Sequence, residues 1–210
     1  MTQPARNIET ELKLRLSSSD AQSLPGHPLW KNYTKKTPIL ISMGNTYFDT
    51  SDFQLSQAKI ALRIRHKDNK WLQTLKTLDQ SLDGLSRRKE WEWGINGPSL
   101  DLKRLQEILP EYRSLFYPDK LIPLFTTDFI RTCWTIQWPA PMATIEAALD
   151  IGNISAGTKH DPICELELEL LKGEEQALTD FSRKLQQHIP LHPFDRSKAE
   201  RGYALYKTAQ

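Results

Sequence analysis

The run ICELELELL, residues 163–171, limits this chain more than any other stretch. Leu166, Leu168 and Leu170 alternate there with Glu165, Glu167 and Glu169. A period of two belongs to a β-strand, whose successive side chains leave on opposite faces; a helix would scatter the same residues around its axis. Three carboxylates spaced by two stand ~7 Å apart along the strand, and exposed to water they only repel. Cationic groups are therefore expected among them. NIETELKLRL, residues 7–16, repeats the pattern, with Ile8, Leu12, Leu14 and Leu16 against Glu9, Glu11, Lys13 and Arg15.

Further short runs behave alike. GNTYFDTS reads as a strand entering a polar cap, and ALRIRHK sets Leu62 and Ile64 against Arg63 and Arg65. WLQTLKT and SRRKEWEWGI read as a strand pair joined by a segment containing Asp83-Gly84; in the second, Trp91 and Trp93 oppose Arg88, Glu90 and Glu92. FIRTCWTIQW sets Ile130, Trp134, Ile136 and Trp138 against Arg131, and ATIEAALDIG puts Glu146 and Asp150 on one face. Many short alternating strands between turn-formers predict an antiparallel sheet and admit its closure into a barrel.

Helical spacing appears at four places. SSSDAQ forms a short capped helix ahead of Pro25-Gly26; residues 99–109 form an amphipathic helix capped by Ser99 and ended by Pro110. Residues 174–189 carry Ala177, Leu178, Phe181, Leu185 and Ile189 on one stripe, and Ser197 and Glu200 have the spacing of a capping box opening a last short helix. These helices need an apolar surface, which the apolar strand faces supply from outside the sheet. The charged faces then turn inward. A dry interior cannot hold so many ions, since each loses hydration worth several kcal/mol, so the interior is wet and takes a charged ligand. Arginine and lysine suit phosphate oxygens, and carboxylates suit a hard divalent cation.

Composition narrows the classes. The 28 basic and 26 acidic residues leave a net charge of only +2, which provides no bulk field for nucleic acid or a membrane surface. No apolar run is long enough to span a bilayer and the N-terminus lacks the apolar core of a leader, so a cytoplasmic location is expected. Two cysteines make no disulfide framework. The chain is expected to be one domain over residues 1–210, with a small-molecule partner, no nucleic acid and no membrane.

The motifs resemble those of the CYTH domain, the triphosphate tunnel metalloenzyme superfamily. ETELK matches the E-x-E-x-K signature at Glu9, Glu11 and Lys13, and it is followed in order by YFDT, LRIR, LQTLK, FTTDFIRTCW, IEAALDIG, ICELELELL and SKAERGY. The likeness spans about residues 7–206 and lies with the bacterial inorganic triphosphatase branch. It implies an α+β fold: an eight-stranded antiparallel closed barrel forming a tunnel, with helices packed on the outside. It also implies an enzyme, a metal-dependent phosphoanhydride hydrolase that cleaves tripolyphosphate to pyrophosphate and phosphate with Mg²⁺ or Mn²⁺, two ions being expected.

Carried over by position, Glu9, Glu11, Glu165 and Glu167 hold metal, while Lys13, Arg63, Arg65, Lys76 and Arg131 hold the phosphate chain. Glu9, Glu11, Lys13 and Arg131 form the catalytic set. Arg88 and Lys198 join the substrate-binding group from a second rank that also includes Glu90, Glu146 and Asp150. Many members have lysine where this chain has Phe129. The family's frequent C-terminal companion, a helical histidine-rich module, is expected to be absent. Within the same fold, a class IV adenylate cyclase and a thiamine triphosphatase are the alternatives, and outside catalysis a polyphosphate or nucleotide binder.

Other features carry structural readings. No P-loop run is present. His188 and His192 are separated by Pro190, which breaks the helix that would align them on a metal. Alternation sends Arg87, Arg88 and Lys89 to opposite faces, the six tryptophans suit packing between sheet and helices, and Cys133 is expected to be inert.

Overall fold

The computed structural model describes residues 8–34, 36–77 and 81–209. The expected absence of a leader falls on residues 1–7, outside the described residues, as does the 78–80 part of the segment before Asp83. Ten strands form one sheet: β1 (Ile8–Arg15), β2 (Ile39–Asp49), β3 (Ile60–Lys67), β4 (Lys70–Thr77), β5 (Ser81–Leu82), β6 (Leu85–Ile95), β7 (Ile122–Pro139), β8 (Met142–Ala156), β9 (Lys159–Lys172) and β10 (His192–Pro193). Eight of them close into an antiparallel barrel in the order β1-β9-β8-β7-β2-β3-β4-β6, with β6 returning to β1. Closure falls on β1. Its first half pairs with β6, from Ile8 opposite Lys89 to Leu12 opposite Leu85, and its second half with β9, from Glu11 opposite Glu169 to Arg15 opposite Glu165. Among the described residues, each barrel strand has a neighbour on both sides over part of its length. Asp83 and Gly84, both at positive φ, turn β5 into β6 as a tight hairpin, the local event behind the expected joint.

Outside the barrel, the apolar faces are covered as alternation requires. Helices α1 (Ser18–Ser23), α2 (Trp30–Tyr33) and α5 (Gln176–Gln186) lie over β1, β7, β8 and β9. Phe181, Leu178 and Leu185 of α5 are wholly buried with Leu14, Leu166, Leu168 and Ile145, at ~1.5–3 kcal/mol for each large side chain removed from water. Trp30 stacks on Trp134 with ring centroids 4.3 Å apart. Helix α3 (Gln54–Gln57), helix α4 (Leu102–Ile108) and the turn Pro110–Leu115 enclose a second cluster, built on Leu62, Leu75 and Trp93 with Leu105 and Phe116.

Two helix boundaries differ from the periodicity. The helix expected over 99–109 begins at Leu102, because Asp101 and not Ser99 caps it: the Asp101 carboxylate accepts the Arg104 N–H at 3.1 Å while Gln73 accepts that of Asp101 at 2.6 Å. The helix expected over 174–189 holds only for Gln176–Gln186. Helix α6 (Lys198–Ala209) opens with the predicted capping box, Ser197 and Glu200 exchanging side-chain bonds to each other's N–H at 2.7 and 3.1 Å. Ala199 and Tyr203 pack on Tyr47, Phe125 and Phe129, and Lys198 and Ala199 reach the cavity wall, so the start of α6 covers one end of the barrel. Gly202 permits this, since a Cβ there would lie 2.0 Å from the Phe125 ring.

Candidate active site

With leucines committed to the outside, the alternate residues of every barrel strand have no choice but the lumen. There they surround a cavity of about 530 Å³ whose wall includes eight cations and seven carboxylates. The near balance matters: a bare polyanion would add negative charge that the lumen cannot neutralise, whereas one arriving with divalent cations would not. Glu9, Glu11, Lys13, Arg63, Arg65, Lys76, Arg88, Arg131, Lys198 and Glu167 all reach this wall, so nearly all the positions singled out in sequence converge.

The charges form two clusters. In the first, Arg88 donates to Glu9 at 2.6 Å and Glu11 at 2.5 Å, and Lys76 bridges Glu9 at 2.8 Å and Glu90 at 3.2 Å. Burial works against the Glu9 charge, yet Lys76 and Arg88 hold the carboxyl well below the usual carboxylate range. Arg65 donates to Asn45 at 2.9 Å and meets Glu92 at 3.4 Å. Burial and the neighbouring Arg63 draw its guanidinium down to about 10. Arg63 reaches the Tyr47 hydroxyl at 3.3 Å, but its buried Nε has no hydrogen-bond partner, a donor free for an anion.

In the second cluster, Lys198 sits among Asp150 at 2.7 Å, Glu167 at 2.9 Å and Glu165. Arg131 grips Asp150 through two bonds of 2.7 Å and Glu167 at 2.5 Å. Burial opposes these charges too, but the surrounding cations hold Glu167 well below its ordinary range and the carboxylates raise Lys198 and Arg131. Phe129 lies under both cations, 5.1 Å from the Lys198 ammonium and 5.7 Å from the Arg131 guanidinium.

Register separates the glutamates that alternation had grouped. Glu165 pairs with Arg15 and is sealed under Lys198 and Arg201, off the cavity wall; Glu169 is the residue opposite both Glu11 on β1 and Glu146 on β8. Register therefore does not bring Glu165 beside Glu9 and Glu11; the β9 glutamate it sets opposite Glu11 is Glu169. Asp150, Glu165 and Glu167 bring carboxylate oxygens within 4.8 Å of one another, but the Lys198 ammonium already occupies that position. Glu169 and Glu146 have no ion-pair partner among the described residues. Burial, then the Glu9 charge, pushes the Glu169 carboxyl up to about 7, the state a hard cation would relieve. Arg15, counted among the interior cations in sequence, is exposed beside Phe194 instead, 5.5 Å from the ring.

Tyr47 had signal only as part of YFDT. Burial raises its hydroxyl, but Arg63, Arg65 and Lys198 prevail and bring it below its ordinary value. Cys133 and Cys164 are free thiols; Cys133 lines the lumen with its thiol pushed up to about 12, chiefly by burial. His188 faces His27 at 5.6 Å between ring centroids. Arg87 points outward to Glu175 while Arg88 points in, as alternation required.

The CYTH domain family model matches residues 7–203. This chain belongs to the CYTH family. It is 35% identical over 209 residues to an inorganic triphosphatase of Haemophilus influenzae, across 94% of this chain and 54% of the relative, so it spans about half that protein's length. Among solved structures, it is similar to a Hippeastrum protein described as a putative adenylyl cyclase with dominant triphosphatase activity: TM-score 0.66, 21% identity, 96% of each chain covered. It is also similar to a putative adenylate cyclase of Bacillus halodurans, with TM-score 0.57 and 20% identity, over 91% of this chain and 96% of the other. These likenesses to solved structures concern the fold. Among the described residues of this CYTH protein, no helix is long and apolar enough to cross a membrane.

Proposed function

We propose that this protein is a metal-dependent inorganic triphosphatase, cleaving a terminal phosphoanhydride bond of tripolyphosphate to give pyrophosphate and phosphate. The observation that carries the reading is a barrel lumen in which cations from five strands and α6 face one another across a small cavity, beside carboxylates that have no ion pair among the described residues. In-line phosphoryl transfer leaves the protein mainly the work of placing the chain and stabilising charge. Arg63, Arg65, Lys76, Arg88 and Arg131 have the reach and the forked or point-charge geometry to hold successive phosphates, exchanging their present carboxylate partners for phosphate oxygens. Lys13 has only Glu11, at 4.0 Å, as an ion-pair partner and is free to meet the chain.

The donor set for a divalent ion is Glu9, Glu11 and Glu169, with Glu146 adjacent and Glu167 two residues along β9 from Glu169. These are hard oxygen ligands, and the raised Glu169 carboxyl fits a position meant to be shared with a cation. Mg²⁺ or Mn²⁺ there offsets charge on the phosphate oxygens and makes a coordinated water more acidic. The test is phosphate release from tripolyphosphate, ATP and thiamine triphosphate with each metal. Release chiefly from tripolyphosphate is expected. Cyclic AMP from ATP, preferential cleavage of thiamine triphosphate, or saturable binding without turnover would each overturn the assignment.

A further inference from the structure

The lumen does not end at α6. Beside α6 it adjoins a second cavity of about 610 Å³, with Lys13, Ala61, Arg88, Ser197 and Ala199 as the common wall and Lys59, Arg196 and the β5–β6 hairpin as its outer bound. The barrel therefore has a rear opening as well as a front mouth, and their spare charges are opposite. At the front, Glu146 and Glu169 lack ion pairs, and Lys67 is the one lining cation there without a partner among the described residues. At the rear, Lys59 and Arg196 are exposed and unpaired. Between them and the lumen lies Lys13, 4% exposed, whose ammonium has no hydrogen-bond acceptor. The acids of the rear wall are already engaged: Asp195 accepts from Ser81 at 2.7 Å and the Gly84 N–H at 2.8 Å, and Glu200 caps Ser197.

We propose that the rear opening is an anion port, a binding site for inorganic phosphates by which product leaves the lumen; the inference rests on the triphosphatase reading. A phosphate freed in the lumen is drawn past Lys13 toward the exposed cations Lys59 and Arg196. Charge lining a low-dielectric passage acts strongly in this way.

The test is the double variant Lys59→Asn with Arg196→Glu, asparagine suiting the positive φ of 57° at Lys59. Its control is Lys70→Asn with Lys172→Glu, equal charge change at the front end, outside the cavity wall. In the metal-loaded enzyme, cleavage of tripolyphosphate in the first turnover is expected to keep its rate in the rear variant. Release of phosphate into solution, and with it kcat, is expected to fall at least 5-fold without a rise in KM. Calorimetric titration with inorganic pyrophosphate, run without metal, is expected to show at least 5-fold weaker binding in the rear variant and none of this loss in the control. Unchanged release together with unchanged pyrophosphate binding overturns the port, as does equal slowing by the control. Should the unmodified protein cleave no triphosphate, it is the triphosphatase reading that fails, and the pyrophosphate titration by itself decides the port.

Discussion

Two interiors of this molecule are both buried and differently held. Under α5, Phe181, Leu178 and Leu166 fill space with hydrocarbon and need only contact. Beside α6, Lys198, Asp150 and Glu165 are nearly as deeply enclosed, with Glu167 at the lumen wall, and ion pairs through the Lys198 ammonium hold them together. The first interior gains free energy from leaving water; the second loses it and recovers it through pairing. What the difference teaches is where this fold spends its stability. The outer shell makes the barrel, and the lumen is kept in a tense ionic balance that a charged ligand can re-partition.

The sharpest break in that comparison is chemical. Glu11→Gln keeps the side chain's shape but removes the charge proposed to hold metal; metal-dependent turnover is expected to fall by ~10³-fold or more, equivalent to ~4 kcal/mol, measured as kcat with Mg²⁺ and Mn²⁺. Full activity would remove Glu11 from the donor set.

Next come two substitutions of equal cost and opposite character. Phe181→Ala leaves a cavity and is expected to cost ~3–5 kcal/mol by urea denaturation, the same at pH 5 and pH 8. Lys198→Met leaves Asp150, Glu165 and Glu167 facing one another, also at ~3–5 kcal/mol, but the loss should shrink as pH falls and the orphaned carboxyls take up protons. If both penalties prove pH-independent, the ionic interior is not held as described.

The smallest effect has a definite sign. Glu169 has a folded pKa of about 7 against 4.5 ordinarily, so the folded state binds more protons between those values and stability declines as pH rises through that window. Glu169→Gln abolishes the decline: with chelator present, it should be no more stable than the unmodified protein below pH 4.5 and more stable above pH 7. A shift of this size is worth at most ~3 kcal/mol, and solvent reaching the lumen reduces it to ~1 kcal/mol.

Alternation made the two faces legible before any coordinates. Glu9, Glu11, Arg63, Arg88 and Arg131 reach the lumen because a period of two leaves them no other face. What it could not convey is height along the barrel. Glu165, Glu167 and Glu169 are equivalent in sequence; only the pairing of β9 with β1 places Glu169 opposite Glu11 and sinks Glu165 beneath Lys198. The covering of the barrel end by α6 was hidden for a similar reason. Ser197 and Glu200 announce a helix start, but it is the fit of Gly202 against Phe125 that lets it lie so close over the barrel end. The cap at Asp101 was missed because Gln73, from a distant strand, decides between it and Ser99.

Closure through β1 also bears on how the barrel is made. The strand that seals it is the first described element of the chain, while its partner β9 is among the last, so Glu11 must wait for Glu169 to be synthesised. Pairings so distant in sequence are reached slowly. Until then the β9-facing edge of Ile8–Arg15 is unmatched, and its alternating Glu9, Glu11 and Lys13 discourage premature β-pairing with neighbouring chains. The same side chains that later face the lumen thus act first as a safeguard during biogenesis.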